Sequence, residues 1–198
     1  MQNDRRLRGR LMLIFLVVLF FAPLFLATYL YQYHRDWFVG SHTNVGVLYQ
    51  PVQTLHEFHM QNLQGERVAF SDWRGRWALL MLVDGSCDLA CRASLYKMRQ
   101  VRLALSHDAD RVQRFLLLEG KHDAGTMALM RNEYPGMPVV EPRQDGWSDA
   151  RAQFGEHPAG TVYLVDPHGN LVLRYPPEAP AKGMLKDLKR LLKISNIG

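Results

Sequence analysis

From Leu11 to Tyr33 no side chain carries a charge, whereas basic residues crowd the stretch before it. A run of about 23 residues exceeds the roughly 20 that a helix needs to cross the hydrocarbon core of a bilayer. The segment is therefore predicted to span a membrane. Pro23 inside it is tolerable, because neighbouring groups can satisfy the carbonyl it frees. From Arg35 to Gln53 the chain mixes Gly40, Ser41, Gly46 and Pro51 without sustained periodicity, which predicts a juxtamembrane linker over 34–50 and a folded domain over 51–198.

Within that domain the pattern changes period several times. Phe58, Met60, Val68 and Phe70 alternate around Asn62, Gln64 and Gly65, which predicts a short hairpin. Trp77 to Val83 is an unbroken apolar run, as expected of a strand covered on both faces. Leu89, Ala93, Tyr96, Val101 and Leu105 then recur at helical spacing. A second apolar strand over Val112 to Leu118 precedes a helix carrying Met127, Leu129 and Met130, which must stop before Pro135. Gly160–Val165 and Leu171–Tyr175 flank Asp166-Pro167-His168-Gly169, whose proline and glycine suit a tight turn between antiparallel strands. Leu185, Leu188, Leu191 and Leu192 stripe a last helix. This alternation predicts an α/β fold with a mixed central sheet flanked by helices.

Charge orients the span. Arg5, Arg6, Arg8 and Arg10 sit in the stub 1–10, and positive residues next to a span stay on the cytoplasmic side. Residues 51–198 are then exported, to the periplasmic or extracytoplasmic side of an inner, cytoplasmic membrane. Tyr29, Tyr31, Tyr33 and Trp37 mark the outer rim, where amphipathic rings favour the interface. A cleaved signal peptide would also begin basic and then apolar, but its apolar core runs to about 7 to 15 residues. Phe25 also spoils a small-x-small cleavage site ending at Ala27. An uncleaved anchor fits better. Of the net charge of +5, the four stub arginines less Asp4 supply +3, so the exported part lacks the basic surface that a nucleic-acid partner requires.

Two cysteines, Cys87 and Cys91, are the only ones in the chain. They fall where the buried strand gives way to the long helix, a place where such folds keep their sites. A helix N-terminus also favours a thiolate. Residues i and i+4 on a helix lie about 6 Å apart. That spacing allows a disulfide, either permanent or redox-active, and equally allows one soft ion such as Cu(I) held between two sulfurs.

The chain resembles the Sco/SenC family, membrane-anchored proteins of thioredoxin-like fold that deliver copper to cytochrome c oxidase. The resemblance is carried by Cys87-x-x-x-Cys91 after a buried strand, by Ser71-Asp72-Trp73-Arg74-Gly75-Arg76-Trp77, and by Tyr163-Leu-Val-Asp-Pro-His-Gly169. It implies a thioredoxin-like domain with an N-terminal β-hairpin, copper as Cu(I) or Cu(II), and an oxidase subunit or another assembly factor as partner. It further implies Cys87, Cys91 and His157 as metal ligands, with His122 as the alternative third ligand. His168 reads as a turn residue, and His56 and His59 as strand surface or core. Met81 and Met98 read as packing. The chain departs from the family where proline follows each cysteine: Asp88 and Arg92 stand there.

The rival expectation is a membrane-anchored thiol-disulfide oxidoreductase similar to the TlpA and ResA proteins, in which Cys87 and Cys91 are the catalytic redox pair. Those proteins use C-x-x-C and place proline immediately before the strand, where this chain has Gly160. A scaffold that only contacts an oxidase subunit is the third. No hydrolytic triad, phosphate loop or carboxylate pair stands out.

Overall fold

The computed structural model describes residues 2–33, 44–121 and 123–195. They form two compact units, Met1–Thr43 and Asn44–Gly198. The described residues of the first form one helix, α1 (Gln2–Tyr33), and its stretch Arg8–Leu30 is long and apolar enough to cross a membrane. Leu11, Phe15, Phe20 and Leu26 are all exposed, the all-round apolar surface expected of a membrane span. Thr28 Oγ1 donates to the carbonyls of Leu24 and Phe25 at 2.9 and 3.0 Å, so its hydroxyl is satisfied inside the helix.

The second unit is built on β4 (Trp77–Asp84), apolar at every position but its last. Leu79, Met81 and Val83 face one side of the sheet, Ala78 and Leu80 the other, so each face has its own core. β5 (Val112–Glu119) pairs with β4 in parallel, from Trp77 opposite Val112 to Asp84 opposite Glu119. The crossover between them is α2 (Leu89–Ala104), which buries Leu95, Met98 and Val101. On the other flank of β4, β7 (Val162–Val165) runs antiparallel and turns into β8 (Asn170–Tyr175). The turn forms as its sequence predicts, with Gly169 N–H donating to Asp166 O at 3.0 Å and His168 at its exposed tip. α5 (Ala181–Ile194) buries Met184, Leu188 and Leu192.

The predicted hairpin is β2 (His59–Asn62) with β3 (Arg67–Ala69), Met60 opposite Val68. Two further elements complete this side, β6 (Val139–Pro142) and α4 (Gln144–Phe154), joined to β5 by α3 (Ala124–Glu133). Phe58, Phe70, Trp73, Phe115, Phe154 and Tyr163 fill the core beneath α4. Trp73 stacks on Phe115 with ring centroids 3.6 Å apart. With β1 (Val47–Thr54) at one edge, the eight strands lie in the order β1-β8-β7-β4-β5-β6-β2-β3.

Three elements differ from the sequence reading. β1 (Val47–Thr54) is a strand inside the stretch expected to be linker, and the second unit starts at Asn44 rather than near Pro51. Proline argues against a central strand, but β1 is an edge strand, bonded only to β8, with an irregular register between Leu48 and Gln53. Val45 and Gly46 are held by Asp187, whose Oδ2 accepts both N–H groups at 2.9 Å. β6 is too short to show a period. α4 contains Gly146, Ser148 and Asp149, poor helix formers, and is held by Trp147, Ala150 and Phe154 packing on the core.

Candidate functional site

Gly85 (φ 75°) turns the chain out of β4 at the end where β5 also finishes. Cys87 follows, and Asp88 is the N-cap of α2, its Oδ1 accepting from Cys91 N–H at 2.8 Å. The sequence presents Asp88 as a charge unfavourable to thiolate. Here its carboxylate satisfies a free donor in the first helical turn, the ordinary work of aspartate at that position. Cys87 N–H donates to Thr126 Oγ1 at 2.9 Å, and Thr126 N–H donates to Asp123, the N-cap of α3, at 2.7 Å. The beginnings of two helices are thus tied together at the cysteine pair.

Cys87 and Cys91 are joined as a disulfide with Cα atoms 5.2 Å apart. Of the alternatives that the spacing allows, this is the oxidised one. Both residues are buried, Cys87 at 7% and Cys91 at 2% exposure. Gly160 packs against the backbone beside them. A Cβ there would stand 2.7 Å from Ala90 O and 3.2 Å from Cys91 N, so the loop before β7 presses its backbone onto the start of α2.

Access remains along a cleft of about 180 Å³ beside Cys91, lined also by Ser86, Asp88, Glu119, His157 and Tyr163. His157 therefore lines the same cleft as Cys91. Its Nε2 lies 2.7 Å from Arg174 Nη1. A guanidinium only donates, so Nε2 is the acceptor and the ring is neutral with its proton on Nδ1. Burial, then the positive charges of Arg174 and Arg151, hold the imidazole below its ordinary pKa. Arg174 is steadied by the Tyr49 ring, 5.7 Å from its centroid. Across the cleft, Arg151 Nε meets both Glu119 oxygens at 3.1 Å, and Trp147 Nε1 donates to the same carboxylate.

A pH prediction follows from His157. Its depressed folded pKa means that the unfolded chain takes up the proton first on acidification. Stability is then full above the ordinary value near 6.5 and is lost as pH falls through the folded value. Denaturant unfolding between pH 7.5 and 5 is expected to show this decline, and His157→Gln should flatten it.

No three His, Cys, Asp or Glu side chains converge as a metal-holding group among the described residues. His122 lies outside them, as do His34 and His42. His56 and His59 are exposed, and Met81 and Met98 are fully buried packing residues. Sequence reading missed Thr126, Glu119, Arg151 and Arg174. Only Thr126 had a signal, as the third residue after the capping aspartate Asp123.

No curated protein matches the chain by sequence. Solved structures match by fold. Sco1 of Thermus thermophilus aligns with TM-score 0.59 at 19% identity, over 76% of this chain and 98% of that one. Yeast Sco1, solved with copper bound, gives 0.59 at 15%, over 72% and 90%. A putative thiol:disulfide interchange protein DsbE from Chlorobium tepidum gives 0.55 at 18%, over 73% and 97%. At these identities the likeness is one of fold, and it meets both families that the sequence brings to mind. Residues 77–195 match the family model described as "Transmembrane-like, thioredoxin-like, C-terminal domain", which covers more than half of the chain. The chain belongs to that family of transmembrane-like, thioredoxin-like C-terminal domains.

Proposed function

We propose that this chain is a membrane-anchored thiol-disulfide exchange protein, working on client cysteines outside the cytoplasmic membrane, with α1 as its anchor and the basic stub inside. The observation that carries this is the cysteine pair itself, joined at the first turn of α2 beside an open cleft. In the reduced form, the Cys87 thiolate attacks a client disulfide, forms a mixed disulfide and releases one client thiolate. Cys91 then attacks Cys87 Sγ, releases the second client thiolate and restores the internal disulfide. Two electrons pass from the pair to the client. Cys87 is assigned as the attacking group because it stands ahead of the N-cap of α2 and is slightly less buried than Cys91, 7% against 2%, while Cys91 lines the cleft. The N-terminus of α2 supports its thiolate.

Copper delivery to a respiratory cytochrome c oxidase, in contact with an oxidase subunit or another assembly factor, is the second reading. It is favoured by His157 and Cys91 lining one cleft, together with the Sco/SenC resemblance. After reduction, two thiolates would hold Cu(I) as cargo, and Arg174 would have to release His157 Nε2. The exchange reading ranks first because it asks nothing of that contact. Competition of the reduced, detergent-solubilised chain with a Cu(I) chelator separates the readings. Under exchange, His157→Ala changes Cu(I) affinity by less than about threefold, since only sulfur matters. Stoichiometric Cu(I) weakened tenfold or more by His157→Ala would move the assignment to copper delivery.

A further inference from the structure

At the pole of the sheet away from the cysteines, β5 carries an arginine on its helix-covered face. Arg114 lies on the same side as Val112, Leu116 and Leu118, all members of the core under α2 and α3. Its Nη1 is buried without a hydrogen-bond partner. A buried guanidinium nitrogen left without an acceptor is costly.

Its neighbours add positive charge. Arg99 and Arg102 stand one turn apart on α2. Arg102 Nε donates to Val112 O at 3.0 Å, two residues before Arg114 on the same strand. Arg99 Nη1 donates to Glu133 O at 3.3 Å, beside Tyr134. Burial first, then Arg102 and Arg99, push the Arg114 pKa down. Two carboxylates are near. Asp110 reaches Arg102 at 3.4 Å but is 97% exposed, and Glu133 meets Arg99 through its backbone carbonyl. Among the described residues none pairs with Arg114 or Arg99. Three guanidiniums thus stand between α2, β5 and the end of α3, with the exposed carboxylates of Asp110 and Glu133 as their counter-charges.

We propose that Arg99, Arg102 and Arg114 form an oxyanion site for a phosphate group, carried by a phospholipid headgroup or present as free phosphate. Planar guanidinium forks match the oxygens of a phosphate, and an anionic group would offset the charge that two exposed carboxylates leave on three guanidiniums. The outer part of the site is open, since Arg99 is exposed and Arg102 partly so, while Arg114 Nη1 lies beneath them. The site is separate from the cysteine cleft and independent of the exchange reading.

The test uses the full chain in maltoside micelles, which carry no phosphate, and reads its thermal midpoint. One arm adds inorganic phosphate against potassium chloride of equal ionic strength; the other adds phosphatidylglycerol to the micelles. At about tenfold excess over Kd the midpoint is expected to rise by about 3–5 °C. Arg114→Met should abolish the rise, and Arg99→Gln, at an exposed position, should reduce it if the first variant folds poorly. A response to phosphatidylglycerol alone assigns the phosphate to a headgroup, and a response to phosphate alone assigns the free ion. Phosphate acting no differently from chloride, with no lipid response, overturns the site. So does a response that survives both substitutions.

Discussion

A Cys91→Ser variant is expected to accumulate as a covalent adduct with its client, joined through Cys87. The prediction rests on the division of labour in the pair. Cys87 lies ahead of the N-cap Asp88 and is the more exposed residue, whereas Cys91 is in the first turn of α2 with its N–H fixed by Asp88. Cys87 can therefore still attack a client disulfide, but the attack that would release the second client thiolate has lost its sulfur. Non-reducing gels of membranes expressing the variant should show a band heavier than the monomer that disappears on treatment with dithiothreitol. Release should fall by about a thousandfold or more, since a serine hydroxyl at neutral pH is a poor nucleophile without a base to activate it. Cys87→Ser should give no such band. A band appearing with Cys87→Ser and not with Cys91→Ser would reverse the roles.

Gly160→Ala is expected to cost about 2–4 kcal/mol of stability, combining backbone strain with overpacking. Gly160 has φ 81°, and its added Cβ would stand 2.7 and 2.8 Å from the carbonyl O and C of Ala90. Those atoms are backbone in the first turn of α2, so they cannot swing aside as a side chain would. Gly65→Ala is the control. It shares φ 81° but meets nothing within 4 Å, so it carries only the conformational cost of about 1 kcal/mol. Urea unfolding of the two variants separates the terms. Equal losses would mean that the close approach of the β7 loop to the cysteine turn is not tight in solution.

Much of this architecture was legible because its centre is apolar in simple patterns. β4 and β5 are nearly continuous apolar runs, α2 and α5 carry clear stripes, and Asp166 to Gly169 spell a turn. The elements that were not legible owe their existence to neighbours. β1 tolerates Pro51 because one edge is unpaired, and α4 holds a helix through Gly146 because Trp147, Ala150 and Phe154 are buried by others. The cysteine pair and His157 were visible as residues and as positions. Their chemistry was not. That Thr126 holds Cys87 and that Arg174 occupies the His157 nitrogen depend on contacts across 39 residues in the one case and 17 in the other. No local pattern records such pairings. The close packing of Gly160 on the cysteine turn arises in the same way, from a loop some seventy residues later in the chain.

Burial of both cysteines makes the availability of their disulfide the decisive property. The full chain in detergent, equilibrated with glutathione buffers of graded potential and then alkylated, reports it by mass. The account predicts one two-electron transition within the range of thioredoxin-like proteins, about −270 to −120 mV, with both thiols of the pair labelled on the reducing side. A disulfide that stays closed under the most reducing buffer would contradict it, leaving the bond a fastening of the turn rather than a centre of exchange.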